Sequence, residues 1–234
     1  MKKYLVIYHD LLSGIQTKKY QSGKLLPSNQ QLVMRYQVSR ETVRKAMQLL
    51  ADEGYIQTIR GKGSLVLSTK RYSFPVSSIK SYKEIVKENG LDSKNKIVKV
   101  EKHVLVPENL LFGSPKIYAE LIVRERIVNG IPTILDYDYV NEEIAKDIPL
   151  DEAQNSLFNY FEKNLGLTID YAVKHLTVEN AEYEDCNQLG IEQTTPIVVV
   201  RSETHLTDSR ILSYTESRHR ADKFSSIEFA RRHH

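Results

Sequence analysis

One stretch, residues 26–68, constrains this chain more than any other. It reads LPSNQQLVMRYQVSRETVRKAMQLLADEGYIQTIRGKGSLVLS. Pro27-Ser28 opens a first helix: Ser28 is a strong N-cap, and Gln31 three residues on can complete a capping box. Leu32, Val33 and Tyr36 then recur at helical spacing. Gln37-Val38 makes a turn. Ser39 caps a second helix, whose Val43, Ala46, Met47 and Leu50 form a single apolar stripe. Arg40, Glu41, Arg44 and Lys45 fall off that stripe, near the helix start. Gly54 stops the helix. Residues 55–59 and 65–67 read as two strands, with Arg60-Gly61-Lys62-Gly63-Ser64 at the tip between them. Helix, turn, helix and glycine-tipped hairpin is the layout of a winged helix-turn-helix.

Each part of that layout has work to do on a duplex. The N-terminal end of the second helix enters the major groove. Arginine there reads guanine through a two-pronged contact or clamps a phosphate. Glycines at the wing tip permit a tight turn and close backbone approach, while Arg60 and Lys62 supply positive charge. Charge distribution supports this reading. Residues 1–70 hold 12 Lys+Arg against 4 Asp+Glu, whereas the other 164 residues hold 21 against 26. The formal net charge of +3 therefore conceals a basic head on an acidic body, as expected for a DNA-binding module carried by a regulatory domain.

Bulk properties narrow the remainder. No apolar run approaches the roughly 20 residues of a membrane-spanning helix, and Met1-Lys2-Lys3 leads into a mixed, charged segment unlike a secretory signal. Cys186 is the single cysteine, so no internal disulfide can form, and with no paired His or Asn signature nearby a structural or surface thiol is expected there instead of a nucleophile. A cytoplasmic location follows as the expectation. The histidines are scattered without metal-ligand spacing, so neither metal nor cofactor is expected.

The polar segment after the wing, residues 69–78 with Pro75 inside, reads as a linker between a DNA-binding domain (1–68) and a second domain (79–234). In that second part, residues 79–89 read as a helix closed by Asn89-Gly90. Residues 97–105, 117–128 and 131–140 alternate as strands, and Asn129-Gly130 supplies a two-residue hairpin turn. Residues 156–165 and 181–189 read as helices; 169–178, 196–207 and 210–220 read as strands. The predicted architecture is α+β: a winged helix-turn-helix followed by an antiparallel sheet with helices packed on it. Arg124 and Arg126 lie two apart on one strand and so share a face, where together they could hold a phosphate. The same spacing also suits a cross-strand ion pair with Asp136 or Asp138.

The first part, from the N-terminal helix (4–15) through LPSNQQL and VSRETVRKAMQLL to the wing RGKGSLV, resembles the DNA-binding domain of the GntR family of bacterial regulators. That resemblance implies DNA contacts from Ser39, Arg40, Thr42 and Arg44 and from the wing residues Arg60, Gly61, Lys62 and Gly63. One departure stands out. The family usually has PSERE at the first helix, where this chain has Asn29-Gln30-Gln31, which implies one fewer ionic phosphate contact and a shallower salt dependence. The second part is similar to the UTRA effector domain of the HutC subfamily, whose fold resembles chorismate lyase. It implies a homodimeric repressor of double-stranded operator DNA that senses a phosphorylated sugar. Arg124, Arg126, Ser81 and Ser156 would hold the phosphate and Asp136 the sugar hydroxyls. Tyr171 stands where some members carry a further phosphate-binding arginine, and His219 where others have tyrosine; His219 is equally consistent with a satisfied, half-buried side chain. The branch of the family most resembled implies trehalose 6-phosphate as effector, with another sugar phosphate, such as an amino sugar phosphate, as the alternative. An enzyme is the rival class, given the chorismate-lyase-like fold, but no nucleophile elbow, phosphate loop or metal-ligand cluster is present in the sequence.

Overall fold

The computed structural model describes residues 2–67 and 79–226, which fall into two separate compact units. The expected linker at 69–78 and the last residues, 227–234, lie outside the described residues. No helix among those described is long and apolar enough to cross a membrane.

The first unit contains α1 (Lys3–Gln16), α2 (Asn29–Tyr36), α3 (Arg40–Asp52) and a hairpin of β1 (Ile56–Ile59) and β2 (Gly63–Val66). Its core is built from stripes at helical spacing. Ile7, Leu11 and Ile15 of α1 meet Val43, Ala46, Met47 and Leu50 of α3, with Leu32, Tyr55, Ile56 and Val66 closing the cluster. Capping sets the helix boundaries. The capping box of Ser28 and Gln31 forms at α2, and that helix ends where Gln37 turns left-handed, with φ of 50°. Gly14 is needed for packing: a Cβ there would lie 2.6 Å from the ring of Tyr20. At the wing tip Gly61 has φ of +76° with open space around it, so its requirement is conformational.

The second unit is a six-stranded antiparallel sheet in the order β3-β4-β5-β8-β7-β6. The strands are β3 (Ser93–Leu105), β4 (Tyr118–Val128), β5 (Ile131–Asn141), β6 (Ile169–Asn180), β7 (Pro196–Leu206) and β8 (Ile211–Arg220). Asn129 and Gly130 both take positive φ, 51° and 78°, as the β4–β5 turn demands. Side-chain alternation splits the strands between two faces. Leu121, Val123, Leu135, Tyr139 and Tyr214 form a core on one face with Leu189, the last residue of α7 (Tyr183–Leu189). Ile122 and Val140 belong to the other face, packed against Ala153 of α5 (Leu150–Asn155), Leu157 of α6 (Leu157–Asn159) and Phe161 in the π-helical turn that continues α6 through Tyr160–Asn164. The remaining helix, α4 (Tyr82–Asn89), precedes the sheet and is closed by left-handed Gly90.

The elements depart from the sequence expectation in several places. β3 starts at Ser93 instead of 97, and β2 starts at Gly63 instead of 65 because Gly63 pairs with Ile59 and Ser64 with Thr58, which shortens the wing tip. The helix expected at 156–165 divides into α6 and the π-helical turn. The helix expected from residue 79 starts at Tyr82, because Ser81 and Glu84 form a capping box there. α5 was not foreseen; reciprocal amide–backbone bonds between Asn95 and Gln154 (2.9 and 3.0 Å) tie it to β3. β6 runs to Asn180, paired with Pro196, so the helix expected at 181 starts at Tyr183.

Candidate functional site

Two surfaces carry chemistry. In the first unit, the start of α3 is exposed. The Ser39 hydroxyl accepts the Thr42 backbone N–H (3.2 Å) and lies 2.9 Å from the Thr42 hydroxyl, which fixes both side chains at the helix tip. Arg40 is exposed beside them. Arg44 donates from Nε and Nη2 to the two Glu41 oxygens, each at 2.8 Å, and so holds the Glu41 carboxyl below its usual pKa range. Such an exposed pair is weakly held, so it orients the guanidinium outward and a competing anion can replace Glu41. Arg60 and Lys62 stand exposed at the wing tip, on either side of Gly61. Of the residues that replace PSERE, Gln31 is committed to the cap, its Oε1 accepting the Ser28 N–H at 2.8 Å, while Asn29 and Gln30 remain exposed.

In the second unit, the face that carries α5 and α6 encloses a cavity of about 160 Å³. One water needs only about 10–15 Å³ on this measure, so the space is ligand-sized. Register explains its floor. Asp138, Thr215, Ser202 and Lys174 form one rung across β5, β8, β7 and β6, and Asp136, Ser217 and Val200 form the next. Arg124 and Arg126 come from β4, His219 from β8. Ser202, Thr204, Ser213, Thr215 and Ser217 give the floor five hydroxyls. Ser81, at the start of α4, and Ser156, at the start of α6, line the wall with Tyr82, Lys80 and Lys83. Five cationic side chains thus face two carboxylates.

The arginines differ in how fully they are used. Each reaches diagonally across β5. Arg124 pairs with Asp138 through Nε (3.0 Å) and Nη2 (2.6 Å) and donates from Nη1 to the Ala153 carbonyl (2.9 Å), so all three nitrogens are engaged. Arg126 donates only from Nε, to Asp136 at 2.7 Å. Its Nη1 and Nη2 make no hydrogen bond among the described residues, although the side chain is 3% exposed. The guanidinium lies 4.4 Å from the Tyr82 ring centroid, a cation–π contact that fixes its plane. Thus the cross-strand ion-pair alternative is realised for both arginines, and one of them leaves donors open to the cavity. Burial opposes the charge on Asp136, but Arg126 and Arg124 outweigh it and lower its pKa; for Asp138 burial prevails and the pKa rises.

The cavity gathers Ser81, Arg124, Arg126, Asp136, Ser156 and His219 from the expected effector set. His219 is fully buried instead of half-buried, and burial depresses its pKa to about 4, so the ring is neutral near pH 7. Tyr171 does not join them. It lies on the opposite side of β6, stacked on His205 with ring centroids 4.4 Å apart, because pairing with β7 turns Ala172 and Lys174 toward the cavity. Lys174 and the hydroxyl floor went unnoticed in the sequence. Strand alternation across β6, β7 and β8 was the signal available.

A DNA-reading winged helix joined in one chain to a ligand-sized, cation-rich cavity defines a ligand-responsive DNA-binding regulator. Comparison with known proteins makes the class specific. Residues 3–66 match the family model for bacterial regulatory proteins of the gntR family, and residues 118–225 match the UTRA domain. The HTH-type transcriptional regulator TreR of Bacillus subtilis is 38% identical, covering 99% of this chain and 98% of its own. The crystal structure of the possible regulator YydK from B. subtilis superposes with a TM-score of 0.80 at 24% identity, covering 99% of this chain and all of the other. The effector-binding domain of the B. subtilis trehalose repressor matches at 33% identity and a TM-score of 0.50, covering 60% of this chain and 99% of that domain. The chain belongs to the GntR family and is a transcriptional regulator with a UTRA effector domain.

Proposed function

We propose that this regulator represses a trehalose-utilisation operon and leaves its operator when trehalose 6-phosphate fills the cavity. Similarity to TreR over nearly its whole length supports the choice of sugar. The observation that carries the ligand class is Arg126, a buried guanidinium with two open terminal nitrogens in a cavity where cations outnumber carboxylates. Buried donors are almost always paired, so an open pair inside a chamber favours an anionic ligand. In this reading Arg126, Ser81 and Ser156 take the phosphate, with Arg124 holding Asp138 beneath it. The hydroxyl floor and Asp136 meet the sugar. An amino sugar phosphate is the alternative ligand for the same cavity.

On DNA, the chain acts as a homodimer. Ser39, Arg40, Thr42 and Arg44 enter the major groove of each half-site, and Arg60, Gly61, Lys62 and Gly63 of the wing lie along the backbone. Release requires the ligand to bind the off-DNA state more tightly, so operator must weaken ligand binding by the same factor. The test is fluorescence anisotropy with operator DNA from a trehalose-utilisation promoter, titrated with trehalose 6-phosphate, trehalose and glucose 6-phosphate. Release by trehalose 6-phosphate alone is the expected result. Release by none of the three would overturn the effector, and equal ligand affinity on and off DNA would overturn the coupling.

A further inference from the structure

Ser81 and Ser156 both cap helices at the cavity, yet their hydroxyls are in different states. The Ser156 hydroxyl accepts the N–H of Asn159 (3.4 Å), a neutral residue at the third helical position. At Ser81 the third position is Glu84. A single Glu84 oxygen, Oε2, accepts both the Ser81 N–H (2.7 Å) and the Ser81 hydroxyl proton (2.8 Å). The donors that would hold an anion at the start of α4 already hold one supplied by the chain. The first unit provides an internal contrast. The same capping box at Ser28 uses Gln31, whose neutral amide oxygen takes the backbone N–H alone (2.8 Å).

A second, independent observation points to an anion at this end of the cavity. Arg126 is 2% exposed, its Nη1 and Nη2 make no hydrogen bond among the described residues, and it stacks on Tyr82, the residue next to Ser81. Arg126, Tyr82 and Ser81 thus line neighbouring parts of the cavity wall. Glu84 itself is exposed, so once displaced its carboxylate returns to water without a burial cost.

We propose that Glu84 is a built-in surrogate for the ligand's phosphate: it occupies the α4 donors in the free protein and must be displaced when a phosphate ester binds. The proposal rests on the reading of the cavity as a sugar-phosphate site. It gives Glu84 two consequences. α4 stays capped without ligand, because the carboxylate satisfies the Ser81 donors that the phosphate would take. The affinity for phosphate esters is also set lower than Arg126 and Ser81 alone would allow, since each binding event breaks two charge-assisted hydrogen bonds. An entering ligand must outcompete a carboxylate, which a phosphate dianion with three acceptor oxygens can do.

Isothermal titration calorimetry of the full chain with trehalose 6-phosphate tests this, using the wild type, Glu84→Gln and Glu162→Gln. In Glu84→Gln the introduced amide oxygen can keep the Ser81 N–H bond, as Gln31 does at Ser28, so the helix start survives while the charge is removed. Glu162 is the control: it feels the charge of Glu84, which helps to raise its pKa after burial, but it makes no bond to Ser81. The expected result is binding about tenfold tighter for Glu84→Gln, the scale of a charge-assisted bond at an exposed site, with Glu162→Gln within twofold of wild type. Unchanged affinity in Glu84→Gln, or an equal gain in both variants, would overturn the proposal while leaving the sugar-phosphate site standing. Failure of the wild type to bind would instead remove the site reading and the proposal with it.

Discussion

The two faces of the sheet both bury arginines among carboxylates, and they use them in opposite ways. On the face that carries α7, Arg201 donates to Glu216 (2.6 Å) and to both oxygens of Glu179 (2.6 and 3.1 Å), and Arg218 clamps Asp185 (2.9 Å) and reaches Glu216 (2.7 Å). Every guanidinium nitrogen there is engaged, and carboxylates outnumber the arginines. On the cavity face cations are in excess, and Arg126 keeps two nitrogens open. A closed network holds a sheet together and has nothing left to offer a ligand. An open one is less complete as structure and is available for binding. What separates the arginines of the two faces is how many of their donors are already used.

The largest effect expected from this contrast is on the closed side. Arg218→Met strips Asp185, a fully buried residue, of its guanidinium partner and, among the described residues, leaves its carboxylate the Glu182 backbone N–H at 2.7 Å. Breaking such a pair costs about 3–5 kcal/mol. Urea unfolding should show that loss, while ligand affinity in the surviving folded fraction stays within twofold of wild type. A stable Arg218→Met protein would show that the closed network is not structural.

Next comes pH, at which the two faces should fail in different windows. His219 has a folded pKa of about 4 against 6.5 when unfolded. The unfolded chain therefore binds the extra proton first, and stability is lost as pH falls from 6.5 towards 4, by about 3 kcal/mol at most. On the opposite face the Arg201 guanidinium lowers Glu179 to about 2. Its contribution is present above 4.5 and disappears only as pH falls towards 2. Thermal melts between pH 7 and 4 should show the first loss, and His219→Gln should flatten it. A parent protein whose Tm is level across that range would contradict the buried, neutral imidazole.

Smaller in stability but decisive for function is Arg126→Gln. The shorter amide can still donate to Asp136, so unfolding free energy should fall by about 1–3 kcal/mol. The open nitrogens are lost outright. The trehalose 6-phosphate needed to release operator should rise about a hundredfold, as expected for two charge-assisted bonds. Release at the wild-type concentration would place the phosphate elsewhere.

Much of this was legible in the sequence wherever the signal is local. Ser28 with Gln31, Ser39 ahead of an apolar stripe, and Asn129-Gly130 each specify a cap or turn from adjacent residues, and each forms as read. Period-two spacing put Arg124 and Arg126 on one face correctly. What could not be read depends on register between distant strands. Tyr171 and Lys174 lie on opposite faces of β6, but which face meets the cavity is fixed only by the pairing with β7. Nor does the sequence show that Arg126 pairs diagonally with Asp136 through one nitrogen, or that Arg218 finds Asp185 33 positions away. A lysine on an edge strand also reads as a solvated residue, and for that reason Lys174 was missed.

The smallest effect on stability should come from the third kind of arginine pair, the exposed one. Arg44 and Glu41 make two hydrogen bonds as short as those in the sheet, yet their side chains are 73% and 54% exposed. Solvent screens the attraction, and both side chains lose rotamer freedom in forming it. Arg44→Ala should therefore leave the melting temperature within about 1 °C of the parent. Operator affinity should nevertheless fall about tenfold to a hundredfold, the range of one two-pronged base or phosphate contact, with the response to ligand intact. Anisotropy and a thermal melt on one preparation separate the two. Operator affinity within twofold of wild type would remove Arg44 from the DNA interface. A marked drop in melting temperature would mean that geometry, and not burial, decides what an arginine–carboxylate pair contributes here, and the contrast between the two sheet faces would lose its basis.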